Sequence, residues 1–252
     1  MDLKQELAKK KVTIGSWITI GDTSVAEIMA RSGFDWLTID MEHSAITLPQ
    51  AQEIIRVIEL CGVVPLVRVG ANDPDLIKRV MDAGAFGVIV PMVNSGEDAQ
   101  KAVAAAYYPP RGKRGVGLAR AQSYGFGFED YKKRNAKKSV VIAQIEHKDA
   151  IENLEDILTT KGIDGTIIGP YDLSASLGYP GQFARPAVKK ALKKYESICV
   201  KLNKPMGSHV IPPDVSEVRR KKRKGYKFIA WSLDTLFLGT ACREGLKVIK
   251  KK

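Results

Sequence analysis

Short apolar runs recur eight times along the chain of 252 residues, and a more polar stretch with helical spacing follows each of them. The runs are rich in Val, Ile, Leu and Thr, residues that favour strands, so the pattern predicts repeated βαβ units and a parallel sheet. The predicted strands are residues 12–19, 36–40, 64–69, 87–91, 139–145, 165–168, 205–210 and 227–232. Eight such units in about 250 residues predict a closed (β/α)8 barrel of the α/β class, a TIM barrel.

The alternation continues from end to end without a Ser/Gly-rich or Pro-rich linker, so we expect residues 1–252 to form a single domain. Residues 107–138 are the exception to the regular pattern, because they contain Pro109 and Pro110, several glycines and several aromatic residues without a clear period. An irregular connection of this length in a compact domain is usually functional, so we expect a functional loop or a lid there.

The composition is that of a globular protein, with a hydrophobic share of 44%. The amino-terminal residues lack the apolar core of a signal peptide, and no later run approaches the roughly 18 apolar residues that cross a membrane. The three cysteines, Cys61, Cys199 and Cys242, form no CxxC pattern. We therefore expect a cytoplasmic protein without a membrane partner, with reduced and buried thiols.

The formal net charge of +12 is concentrated in residues 219–224 and in the tail at residues 250–252. Basic runs of this kind can bind nucleic acid. They can equally form a solvated helix face and a frayed terminus, and no aromatic residues are interleaved with them as a stacking platform requires. We therefore expect no nucleic-acid partner, although the positive field can steer small anionic substrates towards the protein.

Polar residues follow the predicted strands at the edge where a barrel of this type carries its active site. All three histidines of the chain fall at this edge. The strand-end residues are Asp40, Glu42 and His43 after the second strand, Arg68 at the third, Gln144, Glu146 and His147 at the fifth, residues 169–172 at the sixth, and Ser208 and His209 at the seventh. Any one of them can also serve only to solvate the rim.

Two of these residues, Glu146 and Asp172, come from neighbouring strands and can share a hard divalent cation, with positions left for water and a chelating substrate. The segment 169–174 ends a strand and enters a helix, so its backbone N–H groups can receive a substrate carboxylate. Glu42 is interpreted as a partner of the site rather than a ligand. His147 is expected to point elsewhere if Glu146 points inward.

Arg68 can hold negative charge that develops on an oxygen, and His43 can transfer a proton near neutral pH. Together with a cation and a carboxylate pocket they suit enolate chemistry. An aldolase that works through a Schiff base needs a desolvated lysine at a strand's carboxyl end. Lys148, Lys204 and Lys227 are the nearest in sequence, and none ends a strand at this edge.

The chain resembles the HpcH/HpaI aldolase family over about residues 15–246. The resemblance rests on seven segments in the family's order, which are DMEH at 40–43, VRV at 67–69, VPMV at 90–93, YPPRG at 108–112, RG at 114–115, QIE at 144–146 and GPYDLS at 169–174. The family consists of class II pyruvate aldolases, such as 4-hydroxy-2-oxoheptanedioate aldolase and 2-dehydro-3-deoxyglucarate aldolase. The resemblance implies reversible cleavage of 4-hydroxy-2-oxo acids to pyruvate and an aldehyde, with Mg2+, Mn2+ or Co2+ as cofactor.

The resemblance also assigns individual roles. It makes Glu146 and Asp172 the metal ligands, puts Arg68 at the keto oxygen and places His43 in the proton-transfer machinery. The remaining roles are Asp82 as the aspartate paired with that histidine, Gln144 as a pocket residue, and the backbone from Gly169 through Tyr171 to Asp172 as the site for the pyruvate carboxylate. Family members assemble as homo-oligomers, often hexamers.

Two departures from the family concern the acceptor. Residues 115–124 form a shorter loop than in some members, and His209 stands where the heptanedioate-type enzyme has an apolar residue. We expect both near the aldehyde half of the substrate, and we include His209 among the substrate-binding residues. Two alternatives remain at this point, namely a related lyase acting on a bulkier or CoA-linked acid, and a non-catalytic basic barrel that binds nucleic acid.

Overall fold

The computed structural model describes residues 1–250 as one closed barrel of eight parallel strands in the order β1 to β8. Lys251 and Lys252, part of the predicted basic tail, lie outside the described residues. The strands are β1 (Thr13–Ile18), β2 (Trp36–Asp40), β3 (Val64–Arg68), β4 (Gly87–Val90), β5 (Val140–Ile145), β6 (Gly165–Ile168), β7 (Gly207–Val210) and β8 (Phe228–Leu233). The predicted barrel is confirmed, and each predicted strand boundary lies within two residues of the observed one.

Helices connect consecutive strands and cover the outside of the barrel. They are α1 (Leu3–Ala8), α2 (Thr23–Ala30), α3 (Leu48–Leu60), α4 (Pro74–Asp82), α5 (Gly96–Ala106), α6 (Phe128–Lys138), α7 (Lys148–Glu152), α8 (Leu154–Thr159), α9 (Pro170–Ser176), α10 (Pro186–Lys201), α11 (Val215–Arg223) and α12 (Asp234–Ile249). No helix among the described residues combines the length and the apolar character needed to cross a membrane.

Large side chains fill the barrel interior and leave only its carboxyl end for a site. Trp36 stacks on Phe228 with ring centroids 4.0 Å apart. Gly15 makes room for them, because a Cβ at this position would lie 2.0 Å from the Trp36 ring. Leu3 and Leu7 of α1 belong to the same buried cluster and close the amino-terminal end of the barrel. Side chains can therefore meet a substrate only at the opposite, carboxyl end.

The irregular stretch 107–138 does not cover the active-site edge of its own chain, so the expectation of a lid is wrong within one chain, whereas a functional loop there stays a prediction. Part of it is regular, because it contains a 3-10 turn over Arg120–Gly125 and the helix α6. It joins the end of α5 to the start of β5, and both lie at the amino-terminal end of the barrel. Arg120 fixes it there by donating a hydrogen bond of 3.1 Å to the Ala83 carbonyl, just beyond α4.

The three cysteines are free thiols. The expectation of buried thiols is right for Cys199, which is fully buried, whereas Cys61 is half-buried and Cys242 is exposed on α12. Burial raises the pKa of the Cys199 thiol to about 12, so this thiol stays protonated at neutral pH.

Candidate active site

A small cavity of about 110 Å³ opens at the carboxyl end of the barrel. Its lining combines strand-end and loop residues from opposite sides of the barrel, namely Trp17, Arg68, Gln144, Glu146, Ile167, Ile168, Gly169, Pro170, Tyr171, Asp172, His209 and Ile211. A larger depression of about 760 Å³ lies between α4 and α5 on the outer surface, but it contains none of the strand-end residues. The smaller cavity is therefore the candidate active site, because its lining includes the strand-end residues.

Arg68 is held by side chains from two other strands. Its Nε and Nη2 donate to the two carboxylate oxygens of Asp40, at 2.9 and 2.7 Å, in a two-pronged contact. Its Nη1 donates to Gln144 Oε1 at 3.3 Å and lies 3.1 Å from Glu42 Oε2. The guanidinium also lies over the Trp17 ring, 4.4 Å from its centroid. A planar side chain held on this many sides is pre-organised for catalysis.

The pKa values of the two carboxyl groups beside Arg68, those of Asp40 and Glu42, are shifted in opposite directions. Burial opposes ionisation of Asp40, but the hydrogen bonds and charge of Arg68 outweigh burial and lower the pKa of Asp40. For Glu42, burial prevails over the attraction of Arg68 and raises its pKa. Gln144 Nε2 links the group further, because it donates to Glu42 Oε2 at 3.3 Å and to Glu146 Oε2 at 2.6 Å.

Glu146 is a buried carboxylate without a cationic partner among the described residues. Its Oε1 accepts a hydrogen bond of 2.8 Å from the Met92 backbone N–H, and its Oε2 accepts the one from Gln144. Burial raises its pKa, and the nearby charge of Asp172 acts in the same direction. Gly169 allows the close approach of the two loops, since a Cβ there would lie 2.9 Å from Glu146 Cβ.

These two carboxylates fit a hard divalent cation. Glu146 and Asp172 line one cavity, and neither forms a salt bridge with Lys or Arg within residues 1–250. A bound cation would compensate the charge that burial opposes at Glu146. The described residues contain no cluster of three or more His, Cys, Asp and Glu side chains arranged for a metal. The remaining positions around an ion would fall to water and substrate.

His43 lies at the outer edge of this group. Its side chain is 68% exposed, and its Nε2 lies 3.8 Å from Glu42 Oε2. The Asp40 carboxylate accepts a hydrogen bond of 3.2 Å from the His43 backbone N–H and so fixes the loop that carries it. The imidazole thus faces solvent with a carboxylate beside it, an arrangement suited to moving protons between the cavity and water.

His209 reaches the cavity from β7. Its ring packs at a tilt against Trp17, with ring centroids 5.5 Å apart, and its Nε2 lies 3.2 Å from the Ser232 carbonyl oxygen. Burial lowers the pKa of His209 to about 4, and the positive charge of Arg68 contributes to the shift. The imidazole is therefore neutral at pH 7.

The loop after β6 supplies Gly169, Tyr171 and Asp172 to the cavity wall. Pro170 occupies the first turn of α9, where its missing N–H costs no hydrogen bond. The Tyr171 ring packs edge-on against Phe183, with ring centroids 4.8 Å apart. The structure therefore places Gly169, Tyr171 and Asp172 at the carboxyl end of β6, where the sequence predicts them.

Two other residues lie away from this cavity. Asp82 ends α4 and so lies at the amino-terminal end of the barrel, where it forms an ion pair with the buried Arg114. The structure does not bring it to His43 of the same chain. His147 caps α7, because its Nδ1 accepts a hydrogen bond of 3.2 Å from the Asp149 backbone N–H. Residues 115–124 likewise lie at the end opposite to the cavity.

The sequence analysis assigns no specific role to three contributors to the site, although it includes Asp40 among the strand-end residues. Trp17 lies between Arg68 and His209, Asp40 is the two-pronged partner of Arg68, and the Met92 N–H binds Glu146. Alternation along β1 and β2 signals inward positions for Trp17 and Asp40. The Met92 backbone has a left-handed φ of 52°, which no local sequence pattern indicates.

The chain is similar to known proteins over nearly its whole length. Residues 13–240 match the family described as HpcH/HpaI aldolase/citrate lyase. A hydroxypyruvate/pyruvate aldolase of Sagittula stellata is 39% identical over 229 residues, covering 90% of this chain and 89% of that protein. A 2-keto-3-deoxy-L-rhamnonate aldolase of Escherichia coli is 35% identical over 248 residues, covering 98% and 92%. The crystal structure of an HpcH/HpaI aldolase/citrate lyase family protein from Burkholderia cenocepacia superposes with a TM-score of 0.92 at 33% identity, covering 99% of both chains.

Proposed function

The chain belongs to the HpcH/HpaI aldolase/citrate lyase family, and from that premise we propose that its cavity reversibly cleaves 4-hydroxy-2-oxo acids into pyruvate and an aldehyde. It is a class II aldolase, a carbon–carbon lyase that acts on small molecules. One observation carries the proposal for this cavity, namely a carboxylate pair without a cationic partner beside a firmly held arginine. No lysine is among the described residues that line the cavity, so a Schiff base is not supported.

We propose Glu146 and Asp172 as the ligands of the divalent cation. When bound, the cation supplies Lewis-acid polarisation of the pyruvate keto group, which makes the methyl protons more acidic. Mg2+, Mn2+ and Co2+ all suit oxygen ligands of this kind. Gln144 fixes the Glu146 carboxylate by its hydrogen bond of 2.6 Å and so holds the ligand in one orientation.

Arg68 stabilises the oxygen that gains negative charge when a methyl proton leaves pyruvate. The guanidinium has five N–H groups; three donate hydrogen bonds to Asp40 and Gln144, and Nη1 also forms an ion pair with Glu42, so at least one N–H remains for the substrate. Because Asp40 and Trp17 fix the plane of the guanidinium, this donor needs no reorganisation during the reaction.

His43 transfers the proton between the cavity and water, with Glu42 as the nearby carboxylate that orients it. The backbone of Gly169, Tyr171 and Asp172 receives the pyruvate carboxylate at the cavity entrance. Cleavage then breaks the bond between C3 and C4 of the substrate. The C4 hydroxyl loses its proton through His43 and becomes the aldehyde carbonyl, while the electron pair of the broken bond forms the C2=C3 double bond of the pyruvate enolate, whose charge lies on the C2 oxygen beside Arg68. The aldehyde leaves, and a proton returned to C3 converts the enolate to pyruvate.

We propose that the protein is a homo-oligomer, and the hexamer is the assembly that the family resemblance implies. The helix α12 leaves large apolar side chains exposed among the described residues, namely Leu238, Leu246, Val248 and Ile249. Exposed apolar surface of this extent is typical of protein–protein contacts. Asp82 lies at the far end of the barrel from His43, so it can pair with a His43 only from a second copy of the chain.

The proposal is tested by two reactions that use the same cavity. The first is exchange of the pyruvate methyl protons for deuterium in D2O, followed by NMR. The second is pyruvate release from a panel of 4-hydroxy-2-oxo acids, coupled to lactate dehydrogenase. Each is measured after EDTA treatment and after addition of Mg2+, Mn2+ or Co2+. We expect both activities to be lost with EDTA and restored by at least one metal.

The panel includes a 2-keto-3-deoxy sugar acid, and the reverse reaction is also measured with pyruvate and with hydroxypyruvate as the nucleophile, because the names of the two relatives suggest these compounds. Activity that persists in full after EDTA treatment contradicts the metal-dependent mechanism. Absence of both reactions, together with cleavage of a CoA ester, favours a CoA-linked lyase instead.

A further inference from the structure

His209 has one ring nitrogen committed to the protein and one available to the cavity. Its Nε2 lies 3.2 Å from the Ser232 carbonyl oxygen. A carbonyl oxygen can only accept a hydrogen bond, so Nε2 carries the proton. The neutral ring has one N–H, and Nδ1 therefore presents a lone pair. No hydrogen bond to Nδ1 is found within residues 1–250.

The Ser232 carbonyl is itself held firmly. Its backbone has a left-handed φ of 52°, which a non-glycine residue adopts only when its surroundings enforce it. The Ser16 hydroxyl shares its single proton between the Trp231 carbonyl oxygen at 2.8 Å and the Ser232 carbonyl oxygen at 3.2 Å, and the Ser232 hydroxyl donates to the Ile211 carbonyl at 3.0 Å. These contacts keep the oxygen aimed at His209, and thus keep the imidazole in one tautomer and one orientation.

The position of the ring assigns it to the acceptor half of the substrate. His209 comes from β7 and Arg68 from β3, two strands on opposite sides of the eight-stranded barrel, and the Trp17 ring contacts both side chains. Arg68, Glu146 and Asp172 serve the pyruvate half under the proposed function. The remaining wall includes His209 and Ile211, which combines one hydrogen-bond acceptor with an apolar surface.

On the premise of the proposed function, we propose that His209 selects the acceptor by accepting a hydrogen bond from a hydroxyl group through Nδ1. The preferred acceptors are therefore short hydroxyaldehydes. A carboxylate-bearing aldehyde offers only acceptors to this nitrogen, and a simple alkyl aldehyde offers nothing. The cavity is small, at about 110 Å³, which favours short acceptors.

The test compares two aldehydes that differ in one hydroxyl group, glycolaldehyde and acetaldehyde, as acceptors for pyruvate. The measured quantity is the ratio of their kcat/KM values in the presence of the activating metal. We expect a ratio of about ten or more in the parent protein, as one hydrogen bond to a substrate hydroxyl commonly contributes.

Two variants separate the ring nitrogens. His209→Gln keeps a donor near the position of Nε2 and loses the acceptor at Nδ1, whereas His209→Asn keeps an acceptor near Nδ1. We expect the ratio to fall about tenfold in His209→Gln and to stay above half its original value in His209→Asn. His147→Asn is the matched control, because Asn also caps helices and His147 lies outside the cavity.

Deuterium exchange into pyruvate is measured on every variant and separates the two hypotheses. If exchange proceeds but His209→Gln leaves the ratio unchanged, the role of His209 is refuted and the aldolase proposal stands. A parent protein that prefers acetaldehyde leads to the same conclusion. If the parent protein shows no exchange with any metal, the proposed function fails and the role of His209 fails with it.

Discussion

Replacing Arg68 with lysine tests the centre of the proposed mechanism while keeping one positive charge. The guanidinium donates to both oxygens of Asp40, contacts Glu42 and Gln144, and retains at least one N–H for the substrate. An ammonium group has three N–H donors and no fork. Arg68→Lys therefore cannot satisfy Asp40 with two prongs and also reach the substrate oxygen.

The size of the effect follows from these contacts. Removal of one donor to a developing oxyanion commonly lowers kcat about 10²- to 10³-fold, so we expect a loss in this range. Asp40 is almost fully buried and loses part of a charge-assisted contact, which is worth roughly 1.5–3 kcal/mol of stability. In a protein of this size that loss lowers Tm by roughly 3–12 °C, so the variant still folds.

The assay combines pyruvate release with deuterium exchange into the pyruvate methyl group. Both should fall together, because Arg68 acts on the oxygen that carries charge in both reactions. Arg79→Lys is the matched control, since Arg79 is exposed on α4 and makes only a distant contact of 4.0 Å with Asp75. A rate in Arg68→Lys equal to that of the control, in a folded protein, would refute the assignment of Arg68.

Three further predictions concern the cation, a titrating group and the barrel's closed end. Glu146→Gln should weaken the binding of Mn2+ at least tenfold, as measured by isothermal titration calorimetry. The same variant should not lower Tm in EDTA, because burial already opposes the charged form of Glu146 and raises its pKa. A large drop in Tm would contradict this. The pKa of His209 is about 4 in the folded protein and near 6.5 when unfolded, so the unfolded state binds more protons between these values and stability falls as the pH falls through that window. The fall is about 3 kcal/mol, and urea titrations should show it in the parent protein but not in His209→Gln. Lys4→Met should cost roughly 2–4 kcal/mol in urea unfolding, because Lys4 lies 2.7 Å from the half-buried Asp164, which would lose its cationic partner. Lys11→Met, at an exposed ion pair, should cost less than about 1 kcal/mol, and equal losses would refute the distinction.

The barrel could be predicted from the sequence because the pattern that indicates a strand lies within a few consecutive residues and recurs eight times along the chain. Most strands are short apolar runs that are largely buried, and every predicted strand boundary agrees with the structure to within two residues. The carboxyl-end rule then identified the rim residues without any long-range information. Arg68, Gln144, Glu146, Asp172 and His209 all line the same cavity, as that rule predicts.

Some features could not be predicted, because a sequence pattern does not show which way a side chain points. It also does not show at which end of the barrel a connection lies. The stretch 107–138 was expected to be functional because it is irregular, but its attachment to the end of α5 places it at the closed end. Asp82 was assigned by resemblance alone, and its ion pair with Arg114 lies at that same end. The partners of Arg68 could be identified only from the structure, since Asp40 and Gln144 are 28 and 76 residues away from Arg68 in the chain.

The cavity separates the chemistry common to all substrates from the choice of acceptor. Arg68 is held jointly by side chains from β2 and β5 and by the Trp17 ring, so a substitution at any of these positions disturbs the group that handles pyruvate. The His209 side chain instead makes one hydrogen bond, to the Ser232 backbone carbonyl of β8, and the Trp17 ring lies between His209 and Arg68. A substitution at His209 can therefore alter the acceptor wall while Arg68 keeps its partners. We expect that a small apolar residue at this position shifts preference towards alkyl aldehydes, and that pyruvate deuteration, which needs no acceptor, changes far less than the acceptor ratio. A parallel collapse of both would show that the two halves are coupled through Trp17.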